Sequence, residues 1–262
     1  MFGFVKADRE KYPSTFLRKV VVSFKYPFVN NLKERYDEIC DIFKVDFPRT
    51  NIVKNQDFEI SITEKQGEAS FRTIQGNDVI YFKSEDGRSE LIIHCENLTI
   101  SIEGNKYNSF ESDILKIINK ISNLFSLLNI NNIKDCSIRK INLVEFVYNE
   151  NLSPNGILNF LLTPSSIIFL DDKDKFVTQN IHNLELKDGD YHLSLKYGMN
   201  TLPIPEKKIG QLLVDTTITS DKSIDSNQII TEMELLNGEL FNVFSWIFNE
   251  NAKEALKNGQ SK

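Results

Sequence analysis

The 262-residue sequence lacks the short patterns that most often reveal a protein's chemistry. It contains no GxxxxGK[ST], GxGxxG, GxSxG or HExxH, which excludes the common phosphate-binding loops, dinucleotide fingerprints, nucleophile elbows and zinc-protease helices. The three cysteines, Cys40, Cys95 and Cys136, are far apart and form no CxxC pair. This spacing argues against a disulfide framework or a zinc site, and we expect a reducing, cytoplasmic environment.

Long apolar runs and an excess of basic residues are also lacking. No apolar run is long enough to cross a bilayer, and the first residues have no apolar signal-peptide core. We therefore expect no membrane association. The net charge is −6, and the basic residues are scattered along the chain. A non-specific nucleic-acid binder needs a concentrated positive field, so nucleic acid is disfavoured as a partner, although a small local basic patch is still compatible with these numbers.

The chain has ample apolar content, 40% of its residues, and is organised around the β-like run at 136–148. Both pleat faces of this run carry apolar residues: Ile138, Val144 and Phe146 on one, and Ile141, Leu143 and Val147 on the other. Alternate residues of a strand point to opposite faces. The pattern therefore predicts a central strand that is covered on both sides.

Two stretches of the chain have the same order of elements. Residues 1–130 predict a strand, a helix, an antiparallel meander and a long helix at 110–128. Residues 131–262 predict the strand at 136–148, a short helix at 154–163, a strand-rich stretch, and a long helix at about 226–256. We predict an α+β fold in which antiparallel meander sheets are each packed by a long helix, with two similar halves in one compact unit.

Two Asp-Gly pairs predict the turns of β-hairpins. Asp86-Gly87 would place Phe82 opposite Leu91. Asp188-Gly189 would place Leu184 opposite Leu193. These registers can be checked directly against the structure.

Three charged residues in strands are candidate ligand-binding residues. Arg139 lies in the strand that we expect to be covered on both sides, so its charge must be satisfied, by a structural salt bridge or by a ligand. Asp215 interrupts an apolar strand, where an exposed pleat position is the simpler interpretation. Glu145 shares a face with Arg139, but six residues of strand separate the two by roughly 20 Å. Neither a catalytic residue nor a metal-ligand set is predicted.

The last predicted helix is apolar around much of its circumference. Beyond its core stripe it carries Phe241, Trp246 and Phe248, which are plausible anchors for a partner. Such a helix is either enclosed within the monomer or presents a second face to another chain, including a second copy of itself. Both alternatives stay open at this point.

Several segments resemble an uncharacterised bacterial family of sporadically distributed proteins of similar length. Residues 82–110 resemble its most recognisable part, with an Asp-Gly turn, alternating strands, and Tyr107 ahead of a long helix. Residues 213–215 and Phe244 resemble its C-terminal block. The sequence departs from the family pattern at Glu145, where a basic or aromatic residue is expected. The family has no established activity, and its patchy distribution implies mobile or defence-associated genes.

These observations favour recognition over catalysis. We predict a cytosolic, non-enzymatic binding or adaptor protein that engages a protein partner, in a prokaryotic defence or toxin-neutralising system, with no cofactor. The alternatives are a small-ligand or nucleotide-sensing module and a metal-dependent nuclease. The nuclease would require carboxylates brought together by the fold.

Overall fold

A large antiparallel sheet and four helices form the part of the chain that the structure describes. The structure is a computed structural model, and it describes residues 1–8, 16–62, 69–147, 179–204 and 207–257. The strands are β1 (Leu17–Lys25), β2 (Arg49–Ile62), β3 (Ala69–Lys83), β4 (Ser89–Ile93), β5 (Asn97–Glu103), β6 (Asn132–Ile133), β7 (Asp135–Val147), β8 (Gln179–Asp188), β9 (Tyr191–Ile204), β10 (Lys207–Ser220) and β11 (Ile224–Asp225). The helices are α1 (Tyr36–Phe43), α2 (Lys116–Leu127), α3 (Ile229–Ile247) and α4 (Glu250–Lys257).

Nine of these strands form one sheet in the order β2-β3-β4-β5-β1-β7-β10-β9-β8, and every neighbouring pair is antiparallel. The predicted α+β fold with antiparallel meanders is therefore confirmed. The meanders are joined in a single sheet, because β1 and β7 pair with each other at its centre. The last strand of the first meander, β5, pairs with β1 on one side of this central pair. The last strand of the second meander, β10, pairs with β7 on the other side.

One face of the sheet carries the core, and α2 and α3 pack against it. Alternate side chains of β1 and β10 are fully buried on this face, in the same hydrophobic cluster as both helices: Val20, Val22, Phe24, Leu212, Val214 and Ile218. On the opposite face of β7, Ile141 and Leu143 are half-buried. On the helical face, Ile138 is fully buried and Val144 is partly buried. The predicted covering of β7 on both sides is therefore met only in part among the described side chains. On the opposite face, Leu213 of β10 pairs with Leu143 and is also half-buried.

The structure confirms one hairpin register and corrects the other. Phe82 pairs with Leu91, as the sequence predicts. Leu184 pairs with Leu195 and not with Leu193, so the second prediction was wrong by two residues. The reason lies in the turn. The sequence predicts Asp188 and Gly189 as the two turn residues, whereas in the structure Asp188 pairs with Tyr191 and the turn residues are Gly189 and Asp190. Gly189 adopts φ 59°, a conformation that is cheap for glycine.

The two long helices begin with side-chain caps. Before α2, the Ser109 hydroxyl accepts a hydrogen bond from the Ser112 N–H, at 3.0 Å. Before α3, Asp225 and Gln228 form a capping box around a short 3₁₀ turn. The predicted helix at 226–256 is interrupted at Phe248, whose ψ of 137° is extended, and it resumes as α4. The helix predicted at 154–163 lies outside the described residues.

None of the helices in the described ranges combines the length and apolarity needed to cross a membrane.

Candidate protein-binding surface

The helix α3 packs on the sheet through an apolar stripe and carries unusual residues on its other sides. The stripe residues recur every three or four positions, as one helical face requires, and all are buried: Ile229, Met233, Leu236, Leu240, Val243 and Ile247. This is the core stripe that the sequence predicts. The residues of α3 outside this stripe are the ones that a ligand or a partner could contact.

The three aromatic residues predicted as partner anchors lie in different surroundings. Trp246 is 39% exposed at the surface. Phe241 is half-buried and stacks on Phe244, with ring centroids 6.1 Å apart. Phe248 is 1% exposed, and its ring packs against Phe16 in the core, with centroids 5.6 Å apart. Phe248 is therefore a core residue and not part of the outer surface, because the chain turns inward where α3 ends.

The first eight residues, which we call the N-terminal segment, lie along the outer side of α3. The ring of Phe4 packs on Trp246, with centroids 5.3 Å apart and a tilt of 58°. The Ala7 N–H donates to Asn242 Oδ1, at 3.1 Å. Asn242 Nδ2 in turn donates to Glu239 Oε2, at 2.9 Å. This chain of two hydrogen bonds fixes the segment against the helix, so part of the second apolar face of α3 is enclosed within the monomer.

A groove of about 770 Å³ lies between the N-terminal segment and α3. Residues 6–8 line one side, and the helix contributes Glu234, Leu235, Gly238, Glu239 and Asn242. Leu235 is 48% exposed there and gives the groove an apolar wall. The groove is thus open, partly apolar and bordered by carboxylates.

Glu239 and two other polar residues of α3 are almost completely buried, and the sequence analysis missed them. Glu232 and Glu239 are each 8% exposed, and Asn237 is 1% exposed. Asn237 Oδ1 accepts a hydrogen bond from Lys140 Nζ, at 2.7 Å. In the described structure, one oxygen of each glutamate, Oε1, is buried and has no hydrogen-bond partner. Glu232 and Glu239 are seven residues apart, which places them on one side of the helix, but this spacing does not show that the side is buried.

The candidate ligand-binding residues on the open face of the sheet are only partly brought together. Arg139 and Asp215 form a bidentate salt bridge between β7 and β10, with Nε to Oδ1 at 2.8 Å and Nη2 to Oδ2 at 2.5 Å. The hydrogen bonds to Asp215 raise the pKa of Arg139, against the opposing effect of burial. Glu145 lies apart and accepts a hydrogen bond from Gln211 Nε2, at 2.8 Å. Arg139 and Asp215 thus satisfy each other, which is the structural alternative that the sequence left open.

The described residues offer no ready position for a metal ion. Among them, no three His, Cys, Asp or Glu side chains come together in a group that could hold one. The cysteines Cys40, Cys95 and Cys136 are free, and burial raises the pKa of the Cys136 thiol to about 12. A thiol with a raised pKa is a poor nucleophile at neutral pH, so Cys136 acts as a core side chain.

The chain was compared with protein-family models and with curated protein sequences. No protein-family model matches the chain, and no curated protein sequence matches it.

Proposed function

We propose that this protein is a non-enzymatic binding protein that engages a protein partner through the groove between the N-terminal segment and α3. The observation that carries the proposal is the exposed Leu235 on a groove wall built by a well-anchored helix. Exposed apolar side chains next to a concave surface are characteristic of recognition sites. Leu235 is 48% exposed, whereas the core side of the same helix is sealed.

The outer side of α3 has the length of a peptide-binding surface. Leu235 and Trp246 are eleven residues apart on this helix, which corresponds to about 16 Å along its axis. Both are exposed by more than a third, and Trp246 is an aromatic anchor of the type enriched in binding hot spots. A segment of a partner protein that lies along the helix would contact both residues.

The open face of the sheet supports the proposal less well. Its central charged residues, Arg139 and Asp215, are already paired with each other. A ligand that used either residue would first have to break a bidentate ion pair, which is a strong charge-assisted contact.

The proposed setting is the bacterial cytosol, in a defence or toxin-neutralising system. Three free cysteines support a reducing compartment. The resemblance to a sporadically distributed bacterial family supports the link to mobile or defence genes. A homodimer that uses the same outer side of α3 is a second form of the proposal.

The test is a selection of random dodecapeptides displayed on phage, with the 262-residue chain as bait. We expect enrichment of peptides on the wild type and loss of their binding to Leu235→Asp, because a carboxylate in the groove would remove its apolar contact. The control is Asn123→Asp, which also adds one negative charge at an exposed position of a long helix, α2, away from the groove. Absence of enrichment over a blank surface, or equal binding to Leu235→Asp, would refute the proposal.

The substitutions do not threaten the fold, because Leu235 and Asn123 are both exposed. Trp246 is the single tryptophan of the sequence, so its emission spectrum verifies that α3 and the N-terminal segment stay packed in each variant. Sedimentation of the wild type and Leu235→Asp over a range of concentrations tests the homodimer. Self-association that is lost in Leu235→Asp would identify a second copy as the partner.

A further inference from the structure

The groove contains a carboxylate that is buried and only half satisfied. Glu239 lines the groove and is 8% exposed. Its Oε2 accepts a hydrogen bond from Asn242, at 2.9 Å, while its Oε1 has no partner among the described residues. An unpaired buried carboxylate oxygen is unfavourable, because it has lost its water without gaining a donor. The groove therefore contains an acceptor position that a bound donor would fill.

The charge of the groove specifies the sign of that donor. Among the described residues that line it, three are acidic, Asp8, Glu234 and Glu239, and one is basic, Lys6, so their formal charge is −2. A positively charged group would be attracted, and an anion would be repelled. The pairing between a buried carboxylate and a basic head group is among the stronger hydrogen bonds in proteins.

The shape of the groove specifies what carries the charge. Gly238 has no side chain and Ala7 has a small one, so room is left between the segment and the helix. Leu235 offers an apolar surface one turn of helix from Glu239. Lys and Arg bury their aliphatic stems on apolar surfaces while the head group makes polar contacts. A basic side chain would fill the groove, and a neighbouring aliphatic residue would cover Leu235.

We propose that the groove recognises a partner segment in which a lysine or arginine lies beside an aliphatic residue, with the basic head group paired to Glu239. This inference rests on the proposed function and names the chemistry of the partner. Glu239 sets specificity for the basic group, and Leu235 supplies the apolar contact. A small organic cation would satisfy Glu239 but would leave Leu235 and Trp246 uncovered.

The test uses the enriched dodecapeptides as probes, each synthesised with its basic residue and with glutamine in its place. Variants Glu239→Gln and Glu234→Gln are compared with the wild type. Glu239→Gln keeps the size of the side chain and the oxygen that accepts from Asn242, so the N-terminal segment remains attached. Glu234→Gln is the matched control for a loss of general negative charge, because Glu234 is exposed in the same groove.

We expect Lys or Arg to be enriched in peptides selected on the wild type. Glu239→Gln is expected to raise their Kd at least about tenfold, and Glu234→Gln about twofold, because buried charge pairs contribute far more than exposed ones. Replacing the peptide's basic residue should weaken binding to the wild type by a similar factor and have little further effect on Glu239→Gln. That coupling in a double-mutant cycle identifies the two groups as direct partners.

The failures of the two proposals can be told apart. Peptides that depend on Leu235 but carry no basic residue, or that bind Glu239→Gln as well as the wild type, would overturn this inference and leave the proposed function standing. Peptides indifferent to Leu235→Asp would overturn both. Equal losses in Glu239→Gln and Glu234→Gln would show attraction by charge alone and would overturn the assignment to Glu239. Spermidine that displaces the peptides with equal affinity would make a small cation the occupant and would also overturn it.

Discussion

The two long helices cover the same face of one sheet, yet their outer sides differ. The inner side of each is a stripe of buried aliphatic and aromatic residues. The outer side of α2 is polar, with exposed residues such as Asn119 and Asn123. The outer side of α3 bears Leu235 and Trp246, each exposed by more than a third. A helix whose only task is to seal a core has no need of apolar residues on both sides.

The helices are also attached to their surroundings by different chemistry. Two lysines of α2, Lys116 and Lys120, donate hydrogen bonds to Asp46, which follows α1. The outer side of α3 is instead attached to the N-terminal segment through the Phe4–Trp246 ring contact. Charged contacts at a surface are weak and tolerate water, whereas a ring contact buries apolar area. The outer side of α3 therefore differs from that of α2 in carrying apolar side chains and an aromatic contact.

The largest expected effect tests whether the inner sides of the helices are equivalent. Leu124 of α2 and Leu236 of α3 are both fully buried in the same cluster. Replacement of either by alanine should lower the free energy of unfolding by about 2–5 kcal/mol, because each leaves a cavity in a close-packed core. Urea denaturation followed by circular dichroism would measure both. A near-zero effect at Leu236 alone would break the comparison, since α3 would then not seal the core.

An intermediate effect is expected at the aromatic contact on α3. Phe4→Ala should lower the free energy of unfolding by about 1 kcal/mol through loss of the ring contact and its buried area. It should also expose Trp246, so the emission maximum should shift to longer wavelength and quenching by iodide should increase. The control is Val5→Ala, because Val5 is 86% exposed and its replacement should change neither signal. An unchanged spectrum in Phe4→Ala would show that the segment does not cover α3 in solution.

The smallest effect concerns the ion pairs of α2 and depends on pH. Burial alone would raise the pKa of Asp46, but the hydrogen bonds from Lys116 and Lys120 outweigh it and lower the pKa below its ordinary 3.8. A carboxyl whose pKa is lower in the folded state stabilises the protein above its unfolded pKa, and this contribution is lost as the pH falls through the folded pKa. Asp46→Asn should therefore cost about 0.5 kcal/mol at pH 7 and progressively less below about pH 4.

Unfolding in urea at a series of pH values would measure this difference. The matched control is Asp41→Asn, which removes an exposed carboxylate whose ion-pair partner among the described residues is Lys44. A cost for Asp46→Asn that stays constant from pH 7 to pH 3 would contradict the assignment of the effect to this ion pair.

The periodicity of the sequence predicted the elements and their inward faces well. The stripe from Ile229 to Ile247 and the alternation of Val20, Val22 and Phe24 follow from the 3.6- and 2-residue repeats. The register around Asp86-Gly87 was also predictable, because a local turn sets it. The register beyond Asp188 was not predictable, since turns at Asp188-Gly189 and at Gly189-Asp190 differ by one residue and both place leucines opposite leucines.

The candidate site was predicted in part. The unusual apolar circumference of α3 is visible in the sequence, and it leads to Trp246. The roles of Glu239 and Asn242 are not visible in the sequence. They depend on contact between α3 and the N-terminal segment, which is more than 200 residues away in the chain. Arg139 and Asp215 were each identified, but their partnership depends on the pairing of β7 with β10.

The sequence by itself determined which residues are strands and helices and which side of each faces the core, because these follow from the spacing of apolar residues over a few turns or pleats. Only the tertiary structure decided that β1 pairs with β7 to make one sheet, and that Phe4 and Ala7 lie on α3. The physical reason is that such contacts join segments distant in the chain. Their choice depends on the total apolar area buried and on the strand edges left unpaired, which no local pattern encodes.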